Sequence, residues 1–265
     1  MSWETIALAD IRDAGRSWSF WGLAVLLAGS FVGVVGLVAY LGQTEFTAAL
    51  GGLVELVSLF VPLVALLLGY RAVAGKRSRG SIYLSLSFPA SRRDLAVGTF
   101  VGRTVILLVP TLGGLLLAGV AAAVVFGTEG LLMYPWFLLV TALYGAAFVG
   151  IAVGLSMATT ADRWLTLGAL GGYLVLVQLW NALVTIVVLV LHRGPPAEPP
   201  EWSLLAGLAQ PPVAFDRLLG LGGDLSPSAP GAVTSLDWWL ALLVLVLWTV
   251  VPLTIGYRRF VASEL

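Results

Sequence analysis

The chain has no cysteine, one histidine (His192) and only 11% charged residues over 265 positions. The lack of thiols excludes disulfides, thiolate metal sites and thiol catalysis. A lone histidine at the end of an apolar run leaves any serine nucleophile without a base in reach, and no pair of aspartates sits within the apolar runs. One histidine and three methionines also give no relay for a soft metal ion. A phosphate-binding loop needs Gly-x-x-x-x-Gly-Lys-Ser/Thr, so that backbone amides cradle phosphate and the hydroxyl binds magnesium. The nearest stretch, Gly69 to Arg77, has five residues between its glycines and Arg77 where the hydroxyl belongs. The chain is therefore expected to bind no cofactor and to be no enzyme, with any ATP chemistry supplied by another polypeptide.

What the chain has in quantity is apolar sequence: 59% hydrophobic residues and a mean hydropathy of +1.00. Runs of about 20 apolar residues cross a hydrocarbon core of roughly 30 Å as helix. Six qualify: Trp18 to Leu41, Leu50 to Tyr70, Thr104 to Phe126, Leu131 to Met157, Trp164 to Leu191 and Trp238 to Tyr257. The expected fold is all-α and integral to the membrane, a single domain over 1–265. The first 17 residues carry five charges and no small-residue cleavage pattern, unlike a signal peptide.

Twelve of the fourteen lysines and arginines fall on one side of this layout; only Arg193 and Arg217 fall on the other. The positive-inside rule then places both termini in the cytoplasm of a multi-pass cell-membrane protein. Before the first span, Trp3, Ala7, Ile11, Ala14 and Trp18 recur at spacings of three and four, which gives an amphipathic helix over 2–17. It suits either an interfacial helix on the cytoplasmic leaflet or a solvated extension with anchoring tryptophans.

The external segment 192–237 is broken by eight prolines, although Trp202 to Leu208 and Val213 to Leu221 each suit a short amphipathic helix on the membrane surface. Within the spans, Glu55 lies four to five residues from the expected outer end of its run, about 6 to 8 Å deep, where a carboxylate reaches headgroups. Gln178, Asn181 and Thr185 form a polar stripe on the fifth span. With Glu55, they are candidates for a substrate pathway or a dimer seam, and equally for ordinary interhelical hydrogen bonding. Glycine pairs at four-residue spacing, Gly29 with Gly33, Gly98 with Gly102, Gly150 with Gly154 and Gly168 with Gly172, allow close helix approach.

The cytoplasmic segment 71–93 carries six basic residues and no acid before Asp94. Ser91 and Asp94 have the spacing of a capping box, so a new helix starts there and runs through Arg103 before entering the bilayer. Upstream, the Leu84 to Phe88 stretch suits a helix face or a strand equally. A basic loop here also fits the positive-inside rule alone, or contact with anionic lipid.

The run Ser78-Arg79-Gly80-Ser81, followed by Leu84-Ser85-Leu86-Ser87-Phe88-Pro89-Ala90-Ser91-Arg92-Arg93-Asp94-Leu95, resembles the loop between the second and third spans of ABC-2 type transporter permeases, and in loop style the NosY-like members most. Where relatives often place glutamates before the glycine, this chain has Lys76, Arg77 and Arg79. The resemblance implies six spans behind an N-terminal interfacial helix, and pairing as a homodimer or as a heterodimer with a related permease. It also implies cytoplasmic ABC ATPase subunits, which use ATP and magnesium and act through this loop. Carried onto this chain, the ATPase-coupling interface would be Arg77, Arg79, Gly80, Ser81, Ile82, Leu86, Ser91, Arg92 and Arg93. The expected function is the permease subunit of an ATP-driven exporter, with membrane lipid as a further partner and no nucleic acid. A non-transporting membrane scaffold and an ion-coupled secondary transporter are the alternatives, the latter disfavoured by the scarcity of ionisable residues at membrane depth.

Overall fold

The computed structural model describes residues 2–75, 91–159, 161–194, 200–222 and 235–262. Among them, six helices are long and apolar enough to cross a membrane, and no strand occurs.

In chain order, α1 (Trp3–Gly15) leads to the spans α2 (Trp18–Tyr40), α3 (Phe46–Gly69) and α4 (Arg92–Phe126). A 3-10 turn, Leu131–Met133, then opens into α5 (Tyr134–Ala158). The fifth span is α6 (Asp162–Tyr173), a π-helical segment at Leu174–Leu179, and α7 (Trp180–His192). Two short helices, α8 (Glu201–Leu208) and α9 (Pro211–Leu219), precede the last span, α10 (Ser235–Ala262).

α4 has 35 residues, about 52 Å of helix against a core of roughly 30 Å. Its first dozen residues therefore stand clear of the bilayer as a stalk. α5 is the hub, packing on α3, α4, α9 and α10, and Tyr144, Phe148 and Phe137 on it are fully buried. Its glycines set how closely α10 approaches. A Cβ at Gly150 would come within 2.8 Å of the Thr249 carbonyl oxygen, and one at Gly154 would overlap the Pro252 carbonyl. Gly98 and Gly102 likewise seat α1 against the stalk, whereas Gly29, Gly33 and Gly172 face open space.

α1 is docked along the stalk with Ile6 and Ala7 buried. Ala7, Ile11 and Ala14 of the expected stripe lie on the covered side, buried or partly buried, whereas Trp3 and Trp18 are exposed. Asp10 on α1 and Arg103 on the stalk form an ion pair at 3.7 Å.

α9 is also no free surface helix. Ala214, Phe215, Leu218 and Leu219 are buried against α5 and α10, and Phe215 stacks on Tyr144 with ring centroids 4.5 Å apart. Three tryptophans of the spans secure α8 and α9 by donating to carbonyls at or near helix ends. Trp180 Nε1 donates to Ala206, Trp248 Nε1 to Ala209 and Trp136 Nε1 to Leu218, each at 2.8–2.9 Å. Each indole thereby donates to a carbonyl at or near the end of a short helix.

Candidate functional site

The described residues define both ends of the 71–93 segment. Past α3, the backbone N–H groups of Val73 and Ala74 donate to the Ser156 hydroxyl of α5, at 2.9 and 3.1 Å. Ser156, Val73 and Ala74 are buried, so this oxygen satisfies two amides that would otherwise be stranded away from water. Beside them Arg71 pairs with Asp162, at the start of the fifth span, at 3.4 Å. Both side chains of that pair are exposed, and it contributes little stability.

At the other end, α4 opens with the capping box. Asp94 N–H donates to Ser91 Oγ at 3.0 Å, while the Ser91 N–H and hydroxyl donate to the Asp94 carboxylate at 3.1 and 2.6 Å. These bonds, the hydroxyl's foremost, hold the Asp94 carboxyl below its ordinary 3.8. Arg92 then reaches across to α10, where Nη1 donates to the Phe260 and Val261 carbonyls at 2.9 and 2.8 Å. Its guanidinium also lies 5.5 Å from the Phe260 ring centroid. A cation on the last carbonyls of a helix satisfies open acceptors and opposes the helix dipole. Arg93 is exposed and lines an apolar recess with Phe100, Met157 and Tyr257. Arg77, Arg79, Gly80, Ser81, Ile82 and Leu86 lie outside the described residues, as does the choice between helix and strand at Leu84 to Phe88.

At the end of the bundle away from the 71–93 segment, a partly open polar pocket of about 230 Å³ lies between α3, the fifth span and α9, lined by Glu55, Ser58, Asn181, Gln210 and Asp216 among others. It brings Glu55 and Asn181 together and leaves Gln178 and Thr185 outside its lining. Gln178 instead lies 3.5 Å from the Tyr173 hydroxyl, and the Thr185 hydroxyl bonds back to the Asn181 carbonyl at 2.8 Å. α3 begins at Phe46, earlier than the sequence suggests, so Glu55 lies nine residues, about 14 Å, along the helix. Glu55 is exposed and lines this pocket.

Gln210 and Asp216 escape the sequence reading because they belong to the Pro-rich external segment. Gln210 precedes two prolines at the start of α9, a helix-entry signal that says nothing of burial. It is 3% exposed, and its Nε2 donates to the Leu176 carbonyl at 2.9 Å. Leu176 lies in the π-helical segment, whose wider turn displaces carbonyls from the regular ladder. Such segments recur at functional sites.

Comparison with known proteins gives a consistent result. The sequence model of the family described as ABC-2 family transporter protein matches residues 4–265. The chain is 31% identical over 277 residues to the probable ABC transporter permease protein NosY of Pseudomonas aeruginosa, covering 98% of this chain and 96% of that one. It is also 31% identical over 268 residues to the protein of the same description from Stutzerimonas stutzeri, covering 97% and 95%.

Proposed function

This chain belongs to the ABC-2 transporter family, a multi-pass membrane subunit of an ABC transporter, and from that premise we propose that a separate cytoplasmic ABC ATPase drives it through the 71–93 segment. In this reading ATP binding and hydrolysis, with magnesium, take place wholly in the partner. The permease converts the partner's closure into helix movement, transport runs outward, and two permeases pair across the cell membrane. The outward direction is part of this proposal, carried from the resemblance of the 71–93 segment.

The observation that carries the coupling reading is that both ends of the segment are fastened to spans far away in sequence. Ser156 ties its entry to α5, and Arg92 ties its exit to the end of α10. A push on the segment therefore reaches α3, α4, α5 and α10 together instead of being absorbed at a flexible root. α1, the segment's two ends and the end of α10 also gather at one end of the bundle. With the basic bias of that side, this supports cytoplasmic termini. The test is co-purification: a tagged chain expressed with its genomic neighbours is expected to bring down a nucleotide-binding subunit. Recovery of the chain without one would favour a scaffold role.

A further inference from the structure

We propose that the recess between the stalk and the end of α10 is a binding site for an anionic glycerophospholipid, its acidic headgroup at Arg93 and Arg258 and part of an acyl chain in the recess; the site needs only a membrane boundary at this end of the bundle and does not rest on the coupling reading.

Packing creates the recess. α10 packs chiefly on α5, drawn close where Gly256 meets Gly154, whereas α4 packs chiefly on α1 and α2. Arg92 bridges α4 to α10 at the Phe260 and Val261 carbonyls. On the membrane side of that bridge a partly open gap of about 220 Å³ is left between the two helices. An apolar cavity of about 150 Å³ takes a benzene ring, so this one has room for a run of methylenes. Its wall is apolar, with Val97 and Phe100 from α4, Met157 from α5, and Leu253 and Tyr257 from α10.

Depth and charge name the occupant. From Trp238 to Tyr257, α10 rises about 28 Å, close to the full width of a hydrocarbon core of roughly 30 Å. Met157 likewise closes the span that starts at Tyr134. The recess therefore opens at a membrane boundary, where acyl chains meet headgroups. Arg93 stands about 10 Å beyond Phe100 along the stalk, within reach of a headgroup layer roughly 5–8 Å thick. Arg258 follows Thr254, another lining residue, by four positions and shares its helix face. Both arginines are exposed, and no acidic residue lines the recess. The carboxylate next to Arg93 in sequence, Asp94, is engaged by the Ser91 cap. Guanidinium groups take phosphate oxygens in pairs, so two of them over an apolar slot match a phosphate carried on hydrocarbon. A soluble phosphate leaves the slot empty, and a choline headgroup brings a cation of its own to a basic mouth. The basic bias of this end also faces the leaflet in which anionic lipid is concentrated.

The experiment is native mass spectrometry of the full chain, titrated in detergent with dioleoylphosphatidylglycerol or with dioleoylphosphatidylcholine, which share acyl chains and differ in headgroup charge. The first phosphatidylglycerol is expected to bind about tenfold tighter than the first phosphatidylcholine. The Arg93→Gln, Arg258→Gln double variant should lose that preference and Arg93→Lys should keep part of it. Arg163→Gln, which changes an exposed arginine at the same end but outside the recess, should leave it intact. Val97→Trp fills the recess and should weaken phosphatidylglycerol with both arginines in place, and excess glycerol 3-phosphate should not displace the lipid. Every variant scored must elute from size exclusion as the wild type does. Equal binding of the two lipids, binding of neither, a preference unchanged in the double variant or lost equally in Arg163→Gln, undiminished binding in Val97→Trp, or displacement by glycerol 3-phosphate overturns the proposal. No ATPase enters the measurement, so its failure leaves the coupling reading to its own co-purification test.

Discussion

Replacing Ser156 tests the attachment of the 71–93 segment at one atom. Its hydroxyl accepts from two buried N–H groups, Val73 and Ala74, at 2.9 and 3.1 Å. An unsatisfied buried donor costs about 1–3 kcal/mol, so loss of the oxygen should cost roughly 2–4 kcal/mol locally after partial relaxation. Ser156→Val and Ser156→Thr enter the same fully buried position with nearly equal shape, and only threonine keeps the acceptor. Their difference isolates the hydrogen bonds from the strain of the added carbons. Local opening is read by amide hydrogen exchange of peptides covering 70–75, in nanodiscs. Exchange in Ser156→Val should be roughly 30- to 1,000-fold faster than in Ser156→Thr, since about 1.4 kcal/mol is one factor of ten. ATP hydrolysis by the bound partner should lose its permease-dependent stimulation in the valine variant alone. Equal exchange in the two variants would refute the claim that Ser156 fastens the segment.

Arg92→Ala removes two charge-assisted bonds to the end of α10, worth about 1.5–3 kcal/mol each. It should raise exchange across 258–262 and weaken coupling, and Arg92→Lys should restore only part of the effect. Gly154→Leu places side-chain atoms on the Pro252 carbonyl and should reduce the folded yield by size-exclusion chromatography, while Gly33→Ala, facing open space, should be tolerated. The Asp94 carboxyl titrates lower in the folded protein than its ordinary 3.8. Its cap is thus fully present at and above pH 5 and is lost as pH falls through the lowered value. Exchange at the start of α4, corrected for intrinsic rate, should be flat from pH 5 to 8 and should rise only in stronger acid. Trp136→Phe removes the donor to the Leu218 carbonyl and should loosen α9 by about 1 kcal/mol, read as faster exchange over 211–219.

Local chemistry was legible in the sequence and distant partnership was not. Ser91 and Asp94 are three residues apart, and the spacing alone dictates their reciprocal cap. The spans follow from the length of apolar runs against bilayer thickness. In contrast, the amphipathic pattern of α9 states that one face is apolar, not whether lipid, Tyr144 or α10 covers it. α1 shows the same ambiguity, since its stripe of Ala7, Ile11 and Ala14 marks one apolar face without saying that the stalk at Gly98 and Gly102 receives it. The π-helical segment has no local signature in Leu174–Leu179, so the link between Leu176 and Gln210 could not be read from spacing. Serine at 156 resembles any small residue of a membrane helix until Val73 and Ala74 are brought beside it.

The central claim is that a partner's ATP hydrolysis reaches the spans through the 71–93 segment. Its most direct test changes Arg79 and Arg93 together to alanine in the permease–ATPase complex and measures both complex recovery and permease-stimulated ATP hydrolysis. The account predicts that the variant folds, elutes as the wild type does, and loses the complex or its stimulation. Full recovery of the complex with undiminished stimulated hydrolysis would contradict it.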